Sequence, residues 1–184
     1  HVIRSLHEFH VAREGSWPSL QAWDYLLQTR LEAAPNDLAA LTKLPEKVRH
    51  DATQLLETID WHRLPPRLVH ADLTEDHVLV LRENGASHLS CLIDWADTEV
   101  AGPSYEWVTL WFGFCRCDAS LLRAFFSAYD PGHRFNAHFV NELLAYTFLH
   151  RFGPQIIAQR LASDLGQSCD SIAELKRHLF PGLP

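Results

Sequence analysis

No run of 18 apolar residues occurs anywhere in this 184-residue chain, so nothing in it reads as a membrane-spanning helix. Basic charge is scarce as well. Lys and Arg number 16 against 23 Asp and Glu, a net charge of -7, which argues against a nucleic-acid binder working through a basic surface. Cysteine is limited to Cys91, Cys115, Cys117 and Cys169. Only Cys115 and Cys117 lie close together, and a lone C-x-C lacks the second pair that a zinc site needs. Reduced thiols in a cytoplasmic protein are the expectation. Repeats and low-complexity tracts are absent. An initiating Met is missing too, since the chain opens on His1; a piece of a longer or processed protein is therefore expected, with any targeting signal out of view.

What is present is an ordinary globular composition, 47% hydrophobic and 21% charged, on a length that suits one domain or one large lobe. The first third reads as helix. Val2, Ile3, Leu6, Phe9 and Ala12 recur at helical spacing, Gly15-Ser16 interrupts, and Trp23, Leu26, Leu27 and Leu31 mark one face of a second helix. Pro35-Asn36-Asp37 is expected to be a loop, with Asp37 capping the segment after it. Pro45 opens a helix with Val48, Ala52, Leu55, Leu56 and Ile59 inward, and Pro65-Pro66 closes the block.

The period then changes. "RLVHA", "HVLVLR" and "SHLSCLIDW" are rich in branched apolar residues and read as buried strands, with Asn84-Gly85 as a hairpin turn between the last two. From Ser104 on, helices return. "SYEWVTLWFGF" is expected in the core, with Trp107, Trp111, Phe112 and Phe114 as packing residues. Asp118 caps "ASLLRAFFSAY", "NAHFVNELLAYTFLHRF" forms a long helix ending at Gly153-Pro154, and Ser171 with Glu174 makes a capping box. The layout is α+β and mostly helical, with a small sheet in the middle: helices over 1–66, strands and charged loops over 67–103, helices over 104–184.

The charged loops carry the chemistry. "LVHADLTEDHVLV" places His70, Asp72 and His77 between two strands, and "LIDWAD" brings Asp94 to the end of the next strand. Two carboxylates sharing one end of a sheet repel each other and are costly to desolvate, so the pattern calls for a divalent cation, a proton to be taken, or both. Phosphoryl transfer needs this set: a carboxylate to orient and deprotonate a hydroxyl, and ligands that hold a metal against nucleotide phosphates.

"VHADLTEDHVLV" followed by "CLIDWADTEVAGPSYEW" resembles the aminoglycoside phosphotransferase and choline-kinase-like family, whose members read H-G-D-x-x-x-x-N and then I-D-[WF]. "VIRSLHEFH" is similar to the family's helix ending in Leu-His. The resemblance implies the C-terminal lobe of a protein-kinase-like phosphotransferase with a small catalytic sheet. It implies Asp72 as the catalytic base, with His70 beside it as support of the loop. Asp94 is implied as the metal ligand, and Glu106 as the buried acid that steadies the loop. Mg²⁺ or Mn²⁺, ATP or GTP as co-substrate, and a small-molecule hydroxyl acceptor follow from it, the acceptor being cationic if the acidic composition is a guide.

Two departures stand out. His77 occupies the usual Asn position and can ligate a divalent metal, as in similar macrolide-phosphorylating relatives; Ala71 replaces the usual Gly. A glycine-rich phosphate loop and a strand Lys are not found, so the nucleotide-covering N-terminal lobe is expected to lie outside this chain, and the chain alone is expected to turn over little. The acceptor is expected between the catalytic loop and the helices of residues 17–31 and 136–152.

Blander readings compete. Asp72 would suit a turn, and Glu75, Asp76 and Asp97 a solvated surface. His133, His138, His150 and His178 need no role. H-x-D is also part of the facial triad of iron oxygenases, but those folds need late strands. Arg49-His50-Asp51 contains the His-Asp pair of helical phosphohydrolases without convincing partners. The main rival is a kinase-like lobe kept as an inactive binding or scaffold module.

Overall fold

The computed structural model describes residues 2–9, 11, 18–163 and 169–184. The readings at Ala12, Gly15-Ser16 and Trp17 fall outside them. The fold is α+β and mostly helical. The first helices are α1 (Val2–His7), α2 (Leu20–Ala40) and α3 (Glu46–Thr58). Strand β1 (Arg67–Val69) precedes the hairpin β2 (Val78–Glu83) and β3 (Ala86–Leu92), and β4 (Glu99–Ala101) follows it. The chain ends in α4 (Ser104–Thr109), α5 (Ala119–Tyr129), α6 (Ala137–Leu149), α7 (Gly153–Ser163) and α8 (Ile172–Leu179), with one π-helical turn at Leu110–Phe114 directly after α4.

Helix α6 is the central element. Every residue from Leu143 to Leu149 is buried, and α2, α3, α4 and α7 all pack on it. Asn136 caps its first turn, its side chain accepting from Phe139 N–H at 3.0 Å. Asp118 and Ser171 cap α5 and α8 as the sequence implies, accepting from Ser120 N–H at 2.7 Å and Glu174 N–H at 3.2 Å. Among the described residues no helix is long and apolar enough to cross a membrane. All four cysteines are free thiols.

Four expectations need correction. Pro35 lies inside α2, and Asp37 caps nothing. A proline inside a helix costs about 3 kcal/mol. Here the buried stripe Trp23, Leu27, Ala34 and Leu38 continues straight past it. Arg30 adds to this, donating to Asp37 Oδ2 at 3.0 Å and to the Leu149 and His150 carbonyls at 2.7 and 3.1 Å. Second, Gly153-Pro154 ends no long helix but opens α7, as proline in a first turn can. The corner is tight: a Cβ on Gly153 would stand 1.8 Å from the Thr147 carbonyl oxygen, so only glycine fits.

Third, the strands form two separate antiparallel ribbons, not one sheet. β1 pairs with β4, Leu68 opposite Val100, and β2 pairs with β3, Val78 opposite Leu92. Left-handed residues divide them: Ala71 (φ 62°) follows β1 and Asp94 (φ 60°) follows β3, each turning the chain out of its strand direction. Fourth, the hairpin is not buried. Leu79, Val80, Leu81 and Leu89 are each about half exposed, whereas Val69 and Val100 are wholly inaccessible. Its turn is as expected, with Asn84 and Gly85 both at positive φ (51° and 80°), the type I′ geometry.

Candidate active site

The ribbon of β1 and β4 leads into His70-Ala71-Asp72 from a largely buried base, and of the three only Asp72 reaches solvent. Two side chains of α4, one turn apart and so on one face, peg this loop to the core. Glu106, wholly buried, accepts from His70 N–H at 2.6 Å. Thr109 Oγ1 accepts from Leu73 N–H at 3.0 Å. Glu106 therefore takes one loop amide, and the second goes to a threonine whose spacing from Glu106 was the only sequence signal for it. Behind them, His7 Nε2 stands 3.9 Å from Glu106, and its Nδ1 is 2.7 Å from the Tyr129 hydroxyl.

His70 is a strut. It is fully buried, its Nε2–H donates to the Ile93 carbonyl at 2.9 Å, and its ring lies 4.7 Å from that of Trp95. It thus ties the Asp72 loop to the residue before Asp94. Ala71, also fully buried, holds a left-handed φ that costs a non-glycine residue on the order of 1–2 kcal/mol. The departure from glycine at this position is thus a strained one.

His77 joins the two carboxylates. Its Nδ1 lies 2.7 Å from the Asp72 backbone carbonyl, which can only accept, so Nδ1 donates this bond. The other ring nitrogen faces Asp94, with Nε2 3.5 Å from Asp94 Oδ2. Nδ1 is 3.6 Å from Asp72 Oδ2. The Ile93 N–H donates to the His77 carbonyl at 3.0 Å, fixing the two segments together. An imidazole nitrogen and a carboxylate at this separation suit two neighbouring positions around one divalent cation. Among the described residues no three His, Cys, Asp or Glu side chains surround one point.

Burial, partly offset by His77, pushes the Asp72 carboxyl above its ordinary range, and the charges of Asp97 and Asp94 add to the rise. A carboxyl so raised is a better proton acceptor. Asp97 is not simply solvated, since it pairs with Arg151. Glu75 is half exposed and pairs with Arg116, while Asp76 is exposed.

Asp72 opens onto a pocket of about 470 Å³ lined by the π turn and α7. Its walls include Phe112, Gly113, Arg116, Phe152, Gln155 and Arg160; of the two segments expected beside the acceptor, 136–152 contributes Phe152, and the described part of 17–31 contributes none of this lining. Gly113 allows the close approach: a Cβ there would lie 2.9 Å from Thr74 Cγ2 and 3.1 Å from the Leu73 carbonyl oxygen.

His150, which the sequence left without a role, is fully buried, with its ring 4.1 Å from that of Tyr105. Its Nδ1 accepts from Phe152 N–H at 3.2 Å. Burial, reinforced by Arg30 and Arg151, pushes its pKa down to about 3, so it is neutral packing beneath the site. His50 is exposed on α3, and among the described residues the regular elements after Asp97 are helices apart from the three residues of β4. Neither the phosphohydrolase pair nor the oxygenase triad is assembled among the described residues.

Among curated proteins none matches the chain at a significant level. A family model does: that of the phosphotransferase enzyme family matches residues 1–139, which takes in α1 through the start of α6 and the whole His70–Glu106 site. With three quarters of its length matched, the chain belongs to the phosphotransferase enzyme family.

Proposed function

We propose that this chain is the C-terminal lobe of a protein-kinase-like phosphotransferase that moves the terminal phosphoryl group of ATP or GTP to the hydroxyl of a small molecule. The observation that carries this reading is the bridge of His77 between Asp72 and Asp94, 3.6 Å on one side and 3.5 Å on the other. Asp72, at the mouth of the pocket, accepts the hydroxyl proton. Asp94 and the Nε2 of His77 hold Mg²⁺ or Mn²⁺. The cation, when bound, neutralises charge on the nucleotide phosphates. His70, Glu106 and Thr109 do no chemistry; they keep Asp72 in place, and positioning is most of catalysis in this reaction class.

The test is phosphate transfer by the protein expressed from its complete gene. Nucleoside diphosphate release should depend on both acceptor and divalent metal. Asp72→Asn should lower kcat by roughly 10²- to 10⁴-fold, the usual contribution of a general base. A protein that binds neither metal nor nucleotide would instead be the scaffold module.

A further inference from the structure

We infer that His7, on the first helix, is a positioning residue for the catalytic loop: it steadies Glu106, and through Glu106 the His70 amide and Asp72. The link itself rests on geometry, and its consequence for catalysis rests on the phosphotransferase reading.

The need for such a residue arises at Glu106. Its carboxylate is wholly buried and has two oxygens to satisfy. Oε2 accepts from His70 N–H at 2.6 Å, whereas Oε1 has no hydrogen-bond partner among the described residues. A buried carboxylate with a single donor is costly, and one free to turn would release the amide it holds. Among the described residues its ion-pair partner is His7, whose Nε2 stands 3.9 Å from Oε2. That is beyond a hydrogen bond but well inside the range of electrostatic attraction in a dry interior.

His7 is placed for this contact. It is buried as well, and its Nε2 has no hydrogen-bond partner among the described residues. A lone pair on Nε2 would be repelled by the carboxylate, so Nε2 presents an N–H to it. The ring is held from its other side. The Tyr129 hydroxyl lies 2.7 Å from Nδ1, and the Trp107 ring, on the residue after Glu106, is 5.5 Å away. Arg4, one turn earlier, fastens α1 to the end of α5 by donating to the Ala128 carbonyl at 2.7 Å and to that of Tyr129. The position of α1 is thus set by α5 and delivered to the loop by one imidazole.

From Glu106 the path divides. The His70 amide lies two residues before Asp72, and the His70 ring donates to the Ile93 carbonyl at 2.9 Å, next to Asp94. Loosening Glu106 therefore acts on the base and on the metal ligand together.

The experiment follows hydrogen exchange at two amides of the same loop in the full-length protein. His70 N–H is held by Glu106, whereas Leu73 N–H is held by Thr109. His7→Leu fills the space without a donor, and His7→Gln restores an N–H near the place of Nε2. His7→Leu should speed exchange at His70 about tenfold or more and leave Leu73 within about twofold. His7→Gln should recover most of the protection. In parallel, with magnesium ATP as substrate and water as acceptor, His7→Leu should lower kcat for ADP release about tenfold and leave the KM of ATP unchanged. His7→Gln should restore the rate. A general loss of stability would speed both amides together; that outcome, like an unchanged His70, overturns the inference. Faster exchange at His70 with kcat unmoved overturns the positioning role. If His7→Leu does not fold, Tyr129→Phe decides, since it removes only the hydroxyl beside Nδ1. Faster exchange confined to His70 supports the inference, and any other pattern overturns it. If the unsubstituted protein releases no ADP, the phosphotransferase reading loses its support, and the two amides alone decide the inference.

Discussion

The two strand ribbons are built from similar residues and live in opposite surroundings. β1 and β4 are three residues each, yet Val69, Val100 and Ala101 are wholly inaccessible and the loop that leaves β1 is held by Glu106, Thr109 and the His70 ring. β2 and β3 are twice as long, and most of their side chains are exposed. Asp72 leaves the buried ribbon with its side chain 23% exposed; Asp94 leaves the exposed one at 55%. The comparison separates two demands. A base must be held still and partly dehydrated so that its pKa rises, whereas a metal ligand must stay open to a cation and its phosphates. On the proposed function one ribbon would meet each demand, and His77 stands between them.

This contrast can be attacked from several sides. The largest stability effect is expected at the buried peg. Glu106→Ala orphans the His70 N–H inside the core and should cost on the order of 1–3 kcal/mol in denaturant unfolding. Glu75→Ala removes only an exposed ion pair and should cost about 1 kcal/mol or less. Equal losses would mean that Glu106 does not secure the loop.

Matched truncations probe the ribbons themselves. Val69→Ala removes two fully buried methyl groups and should cost roughly 2 kcal/mol. Val80→Ala, on the exposed hairpin, should stay within about 0.5 kcal/mol. A large loss at Val80 would show that the hairpin is covered in solution.

Ala71→Gly works in the other direction. It relieves a left-handed φ of 62° in a buried residue. After loss of one methyl group and the greater freedom of glycine in the unfolded chain, it should stabilise by about 0.5 kcal/mol. A destabilised variant would mean that methyl packing outweighs the strain.

The smallest effect is on pH dependence. Asp72 must be ionised to take a proton, so activity falls as pH drops through its pKa. That pKa is raised above 3.8, first by burial and further by Asp97. Asp97→Asn should therefore move the acid limb of the kcat/KM profile to lower pH. A limb that stays put or moves up would remove Asp97 from the site's electrostatics.

Much of this arrangement was legible in the sequence because it depends on local rules. Asn84-Gly85 dictates its turn, Asp118 and Ser171 cap by hydrogen bonds within three residues, and the charged loops at His70–Asp72–His77 and Asp94 come together as their positions after strands imply. What could not be read depends on tertiary partners. A three-residue strand such as β4 has no period to detect. Pro35 looks like a helix breaker until the stripe through Leu38 shows what holds the helix together. Thr109 is one threonine in an apolar run until Leu73 N–H needs an acceptor. His150 is one of 12 histidines, and nothing in the sequence shows that it is fully buried, as His70 is. The hairpin's apolar residues resemble those of a core strand, and composition alone cannot say whether anything packs on them.

The division of labour between the ribbons is tested most directly by Mn²⁺ titration of the full-length protein with ADP present, followed by the magnetic resonance of the ion. Wild type and Asp72→Asn should bind the ion with the same affinity, and Asp94→Asn should bind it on the order of 10- to 100-fold more weakly. Equal binding by all three proteins, or a loss confined to Asp72→Asn, would contradict the assignment of the metal to the exposed ribbon and of the base to the buried one.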